Sequence, residues 1–103
     1  DAYLQALHGA IQADWASNGR PQRLLFSFHG LPESYLRQGD PYPQHCQRAA
    51  EEVAAALGLS PDEWQISYQS RFGPVPWLKP YTDETLRAWG VEGLSSLGVV
   101  CPG

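Results

Sequence analysis

The 103-residue chain contains no methionine, not even at position 1, and it has only two cysteines, Cys46 and Cys101. The missing methionine suggests that the chain begins inside a longer protein. Two cysteines this far apart in sequence fit free thiols in a reducing compartment better than a disulfide framework. The first residues also lack the basic start and the cleavage-site pattern of a signal peptide. We therefore expect a cytoplasmic protein.

The chain also lacks an excess of basic residues and any long apolar run. Its formal net charge is -4, which argues against a general nucleic-acid binder. No apolar run approaches the roughly 20 residues of a membrane span, so we expect any membrane association to be peripheral. With 43% hydrophobic and 17% charged residues, the composition predicts one globular domain with one core.

Several motifs of common enzymes are absent as well. Neither the glycine-rich dinucleotide fingerprint nor the phosphate-binding P-loop occurs. Ser27 and Ser70 lack the flanking glycines of a nucleophile elbow, so no serine hydrolase is indicated. The sequence thus gives no sign of an organic cofactor.

Apolar periodicity predicts helices that alternate with strands. Three helices are expected: residues 1–18, a helix capped by Asp40 that starts at Pro41 and is ended by Gly58, and a helix capped by Thr82 that is closed by Gly90. A capping box begins at Ser60. Strands are expected over residues 23–28, 64–69 and 94–100. Short strands joined by helices are parallel, through right-handed crossovers. The pattern predicts an open parallel sheet of three or more strands with helices on both faces, half of a doubly wound α/β fold. Because such strands need cover on both faces and nothing follows the third, we expect further residues beyond position 103.

One histidine stands at the end of the first predicted strand. The buried run that begins at Leu24 stops at His29-Gly30, and Pro32 forbids further ladder pairing. In open α/β sheets, ligands bind just outside the carboxyl ends of the strands, where an imidazole can transfer protons or bind a metal. Residues 69–71 and 102–103 follow the other two strands, so these loops should converge on His29. The alternative is a histidine that only hydrogen-bonds a loop.

Three other features have both a structural and a functional interpretation. His45-Cys46 resembles a metal pair, but Cys46 lies on the buried stripe of its helix and packing is favoured. Arg71 either binds a substrate carboxylate or clamps its own loop, and the clamp is favoured. Trp77, on a loop stiffened by prolines, is either core or a flat wall for an aromatic ligand.

Taken together, four motifs are specific to one family. SFHGLP (27–32), GDPYP (39–43), QSRFGP (69–74) and WLKP (77–80) occur in an order and spacing that resemble ferrochelatase, the enzyme that inserts ferrous iron into a porphyrin. The resemblance covers residues 20–103 and identifies 1–103 as the C-terminal half-domain of that family, incomplete at its C-terminal end. Gly30 replaces a serine of many members, and we expect this change to be tolerated.

The resemblance implies specific roles. His29 matches the active-site histidine, as the base for pyrrole protons or a metal ligand, and Trp77 and Ser27 are expected to bind substrate. The full-length protein would insert Fe2+, as substrate, into protoporphyrin IX to make haem. The chain alone would be inactive, because the partner carboxylate and the other porphyrin wall are missing. The alternatives are a chelatase for cobalt or for coproporphyrin, or a non-catalytic α/β binding module.

Overall fold

The computed structural model describes residues 2–102 of the chain. Its elements are α1 (Ala2–Asn18), β1 (Arg23–His29), α2 (Glu33–Arg37), α3 (Tyr42–Ala56), a 3-10 turn (Pro61–Glu63), β2 (Trp64–Gln69), α4 (Thr82–Glu92) and β3 (Leu97–Val100). The predicted alternation of helices and strands is confirmed. The short helix α2 was not predicted, because five residues are too few to show helical periodicity.

The three strands form one parallel sheet in the order β2-β1-β3, so β1 is central. β1 pairs with β2 from Leu24 opposite Trp64 to His29 opposite Gln69. It pairs with β3 only from Arg23 opposite Leu97 to Phe26 opposite Val100. The predicted open parallel sheet is therefore confirmed. The pairing of β1 with β2 extends three residues closer to the carboxyl end of β1 than its pairing with β3.

Alternate residues of β1 face two different layers of helices. Leu24, Phe26 and Phe28 belong to the main hydrophobic core, together with residues of α1 and α3. The intervening residues Leu25 and Ser27 are completely buried on the opposite face, where Ser27 meets α4. Helices thus cover both faces of the sheet, as the doubly wound pattern predicts. Within residues 2–102, no helix is both long and apolar enough to cross a membrane.

The ends of several elements differ from their predicted positions, most clearly those of α4 and β3. α4 continues through Gly90 and ends at Glu92, followed by Gly93 with a φ of 82°. A glycine inside a helix costs only about 1 kcal/mol, whereas the left-handed turn after a helix is the position that favours glycine. β3 begins at Leu97 rather than Leu94, because the Leu94 amide closes the turn after α4 by donating to Trp89, and the amides of Ser95 and Ser96 donate to the Gln22 side chain.

Of the predicted helix caps, some are present in the structure and one is not. The capping box between Ser60 and Glu63 is present. The Asp40 carboxylate accepts a hydrogen bond from the Tyr42 amide at 2.9 Å, although Pro41 stands at the N-cap of α3 and not inside the helix. Thr82 is not a cap: Tyr81 holds that position without a side-chain bond.

Thr82 instead joins the sheet to α4 through buried hydroxyl groups. Its Oγ1 lies 2.8 Å from the Ser27 hydroxyl and 2.7 Å from the Ser67 hydroxyl. Ser27 and Ser67 have no exposed surface. Since buried hydroxyl groups require partners, Thr82 holds β1, β2 and the start of α4 together.

We expect Thr82→Val in the full-length protein to lower the free energy of unfolding by about 2 kcal/mol, because the Ser27 and Ser67 hydroxyl groups lose their bonds to Thr82. Thr82→Ser, which keeps the hydroxyl, is the matched control and should cost less. Denaturant-induced unfolding followed by circular dichroism measures both. Equal stability of Thr82→Val and wild type would show that these hydrogen bonds contribute little.

Candidate active site

The strand ends that the sequence predicts to converge do meet at one edge of the sheet. His29 and Gln69 are the last residues of β1 and β2 and lie opposite each other in the ladder. The Gly30 amide continues the pairing by donating to the Gln69 carbonyl oxygen at 2.8 Å. Pro102, after β3, lines the same cleft as His29. Gly103, the last residue of the predicted edge, lies outside the described residues.

A cleft of about 550 Å³ opens beside His29. It lies between α1 and α3, over the carboxyl half of β1. Its lining is mainly apolar and aromatic: Tyr3, Leu4, Leu7, Phe26, Phe28, His29, Leu31, Tyr42, His45, Cys46, Ala49, Ala50 and Pro102. Small-molecule sites have this size and this predominantly apolar character. Because His29 is exposed, its imidazole is accessible from the cleft and from solvent.

Burial raises the pKa of three polar side chains near the cleft. Desolvation raises the pKa of the Cys46 thiol and raises the pKa of Tyr68 to about 12. Desolvation, together with the neighbouring Cys46, also raises the pKa of Tyr42. The thiol and both phenols therefore stay neutral at physiological pH. This neutral wall suits an apolar ligand better than a metal ion, and Cys46 is buried as the packing interpretation predicts.

The described residues do not form a metal centre by themselves. Between positions 2 and 102, no group of three or more histidine, cysteine, aspartate or glutamate side chains could hold a metal ion. His45 lines the cleft but is not part of such a group. His29 can therefore offer a single nitrogen ligand or a single base from this part of the protein.

Tyr42 is a site residue that the sequence reasoning did not single out. Its hydroxyl donates a hydrogen bond of 2.8 Å to the His29 carbonyl oxygen. Its ring packs against Tyr68, with 6.5 Å between ring centroids. The spacing held a signal: Tyr42 precedes the buried Cys46 by four residues, so both lie on one face of α3.

The loop that carries Trp77 packs against the residues after His29. Trp77 Nε1 donates to the Phe72 carbonyl oxygen at 2.7 Å, and the Trp77 backbone forms an isolated antiparallel bridge with Pro32. The prediction that Pro32 forbids further pairing is therefore wrong for this bridge, whose hydrogen bonds are made by the residues that flank Pro32. A Cβ atom on Gly30 would lie 2.6 Å from the Ser70 carbonyl oxygen and 3.3 Å from the Trp77 ring. The two loops approach this closely because residue 30 has no side chain.

Trp77 and Ser27, the two residues predicted to contact substrate, have different surroundings. Trp77 is half-buried and is not among the described residues that line the cleft, so its contact with substrate stays a prediction. Ser27 is completely buried on the opposite face of β1, with its hydroxyl bonded to Thr82. The Ser27 hydroxyl thus has a structural bond here, and its contact with substrate also stays a prediction.

Arg71 clamps its loop, as the favoured interpretation holds. Two of its guanidinium nitrogens lie 2.9 and 3.2 Å from the Asp83 carboxylate, in the two-pronged geometry that arginine favours. The guanidinium also lies 4.0 Å from the centroid of the Tyr81 ring. The hydrogen bonds from Arg71, together with its charge, hold the pKa of Asp83 below its usual range. Arg71 thus connects the loop after β2 to the start of α4.

The fold and site define a class of protein: a doubly wound α/β domain with an apolar cleft at the carboxyl edge of its parallel sheet, where such folds bind ligands. A family model described as Ferrochelatase matches residues 1–103, and the chain belongs to the ferrochelatase family. The resemblance carried by the four sequence motifs is thereby confirmed.

Individual relatives agree with the family match. The chain is 53% identical over 100 residues to the ferrochelatase of Psychrobacter sp. (strain PRwf-1), covering 97% of this chain and 30% of that protein. It is 54% identical over 101 residues to that of Nitrosococcus oceani (98% and 27%) and 46% identical over 101 residues to that of Escherichia coli (98% and 32%). The chain therefore spans about 30% of the length of these curated relatives.

We expect Trp77→Ala in the full-length protein to lower the free energy of unfolding by about 2 kcal/mol, because the ring packs on the Gly30 loop. Trp77→Phe keeps an aromatic ring and should lose only about 1 kcal/mol, the value of one hydrogen bond. Thermal unfolding and a porphyrin titration followed in the Soret band measure stability and binding separately. Unchanged stability with lost porphyrin binding would instead show that Trp77 contacts the ligand directly.

Proposed function

We propose that the full-length protein containing this chain is a ferrochelatase, which inserts Fe2+ into protoporphyrin IX to form haem in the last step of haem biosynthesis. The main support is the placement of His29, exposed at the carboxyl end of the central strand and beside an apolar cleft of about 550 Å³. Family membership makes a porphyrin the natural ligand of this cleft. Ferrous iron is the second substrate, and the proposal requires no organic cofactor.

The chemistry explains why a histidine belongs at this place. Metal insertion must remove two protons from the pyrrole nitrogens as the divalent ion enters the ring. A neutral imidazole nitrogen accepts a proton or binds a metal, but one nitrogen cannot do both at once. We assign His29 the base function toward the pyrrole protons, with metal binding as its alternative role. In either role, the apolar lining favours burial of a flat, largely apolar macrocycle.

A second basic group is part of the proposal, because His29 alone cannot both receive the protons and direct the metal. The described residues place no cluster of metal ligands beside His29. We propose that a carboxylate facing His29, and a second wall for the macrocycle, come from the part of the protein that this chain does not cover. The relatives are long enough for this, since the chain spans about 30% of them.

The remaining expectations are part of the same proposal. Residues 1–103 form the C-terminal half-domain, the protein is cytoplasmic, and any membrane association is peripheral. Protoporphyrin is the proposed macrocycle, and coproporphyrin is the alternative substrate.

We expect His29→Ala in the full-length protein to lower kcat for metal insertion by about 100-fold or more, the usual contribution of a positioned base. Porphyrin binding should stay close to wild type, because the apolar lining of the cleft is unchanged. Metal insertion is followed by the absorbance change of the porphyrin with Fe2+ or Zn2+, and binding by Soret-band titration.

His8→Ala is the matched control for this experiment. His8 lies on α1 and is not among the described residues that line the cleft, so its removal should leave kcat unchanged. Near-normal turnover of His29→Ala, with the expected behaviour of His8→Ala, would refute the assignment of His29.

We expect the 103-residue chain alone to give no metal insertion above a no-protein blank. Catalytic groups that act as a unit lose their effect together, and the group opposite His29 is proposed to lie elsewhere. Circular dichroism of the purified chain establishes that it is folded before the assay. Clear rate enhancement by the folded chain would show that the catalytic groups all lie within residues 1–103.

A further inference from the structure

We propose that Tyr42 is a positioning residue for His29, and that the GDPYP motif (39–43) holds Tyr42 in place for this role. This inference rests on the proposed function, because it concerns how the catalytic imidazole is held. It gives the GDPYP motif a role in the proposed reaction.

The first observation is the hydrogen bond between the two residues. The Tyr42 hydroxyl donates to the His29 carbonyl oxygen at 2.8 Å. His29 is the last residue of β1, and within residues 2–102 the pairing of β1 with β3 stops at Phe26. The end of β1 is therefore held by a strand on one side only, and the phenol of Tyr42 adds a second attachment at the catalytic residue itself.

The second observation is that Tyr42 is fixed at both of its ends. At its backbone, the amide donates to the Asp40 carboxylate at 2.9 Å. At its ring, it packs against Tyr68, which is buried and belongs to the adjacent strand β2. The position of the phenol oxygen is thus set by α3 and the sheet together.

The rest of the motif explains how the chain reaches this position. Gly39 has a φ of 88°, which a glycine adopts without the strain of a side chain. Its amide and that of Asp40 donate to carbonyl oxygens of α2, at 3.0 Å to Leu36 and 3.0 Å to Tyr35. This tight turn delivers Asp40 to cap the first turn of α3, and so places Tyr42 over the end of β1.

Holding the carbonyl of His29 limits the motion of its peptide and thereby of its side chain. A displacement of about 1 Å in a catalytic group can lower a rate by about 100-fold. The loss of a single hydrogen bond that positions such a group can therefore lower kcat. The effect should act on the transition state more than on porphyrin binding, since the ring of Tyr42 and the cleft lining remain without the hydroxyl.

The test is Tyr42→Phe in the full-length protein, which removes only the hydroxyl. We expect kcat for metal insertion, per porphyrin-binding site counted by Soret titration, to fall about five- to tenfold, with KM for porphyrin nearly unchanged. Tyr35→Phe is the matched control: it makes the same chemical change at an exposed tyrosine of α2 and should leave kcat unaltered.

A second pair of variants tests the motif without touching Tyr42. Asp40→Ala removes the acceptor of the Tyr42 amide and should lower kcat in the same direction, by a smaller factor. Asp40→Asn keeps a side-chain oxygen in that position and should stay near wild type. This pair decides the question even where Tyr42→Phe fails to fold.

The outcomes separate this inference from the proposed function. Wild-type kcat in both Tyr42→Phe and Asp40→Ala would overturn the positioning role while leaving the function intact. A change in KM alone would overturn it as well, since Tyr42 would then be only a wall of the cleft. Absence of metal insertion by the wild-type full-length protein would overturn the proposed function itself, and the positioning role with it.

Discussion

The pairing of β1 with its two neighbours is the constraint on which the rest of the structure depends. β1 is central, its residues from Leu24 to Phe28 are buried, and both helical layers pack on it. Because its ladder with β2 runs to His29 while its ladder with β3 stops at Phe26, the strand passes from a fully paired core to a half-paired end. The proposed catalytic residue, His29, lies at this half-paired end of the strand. Side chains from α3 and backbone from the loop after β2 therefore provide the remaining attachments.

The two faces of β1 have different chemistry. One face meets α1 and α3 through apolar residues and opens into the cleft beside His29. The other face carries Ser27, whose hydroxyl shares Thr82 with Ser67. The apolar face can take up a ligand because its contacts are non-directional, whereas the hydroxyl cluster ties α4 to the sheet through directional bonds. One side of β1 thus packs by apolar contact and opens into the cleft, and the other side is held by hydrogen bonds.

The sequence predicted the features that depend on local pattern and failed on those that depend on distant contacts. Alternation and apolar runs predicted all three strands, and the abrupt end of the first run placed His29 at the carboxyl edge of the sheet. The clamp by Arg71 was favoured from its chemistry alone. By contrast, Thr82 was predicted to cap a helix because threonine often does so, yet it bonds to Ser27, 55 residues away in sequence. Tyr42 was missed for the same reason: its spacing from Cys46 places it on a buried face of α3, but does not reveal its partner, a backbone carbonyl on another element.

The loops after β1 and β2 have a mechanical consequence at the edge of the sheet. Leu78 donates to the Leu31 carbonyl oxygen at 2.8 Å and Glu33 donates to that of Pro76 at 2.9 Å, so the two loops are joined by their own backbone ladder. With no side chain at Gly30 to separate them, the two loops pack backbone against backbone. A force applied at the exposed Phe72 or Val75 would therefore be transmitted to the peptide beside His29. The tip of this loop is thus mechanically linked to the edge of the sheet that carries His29.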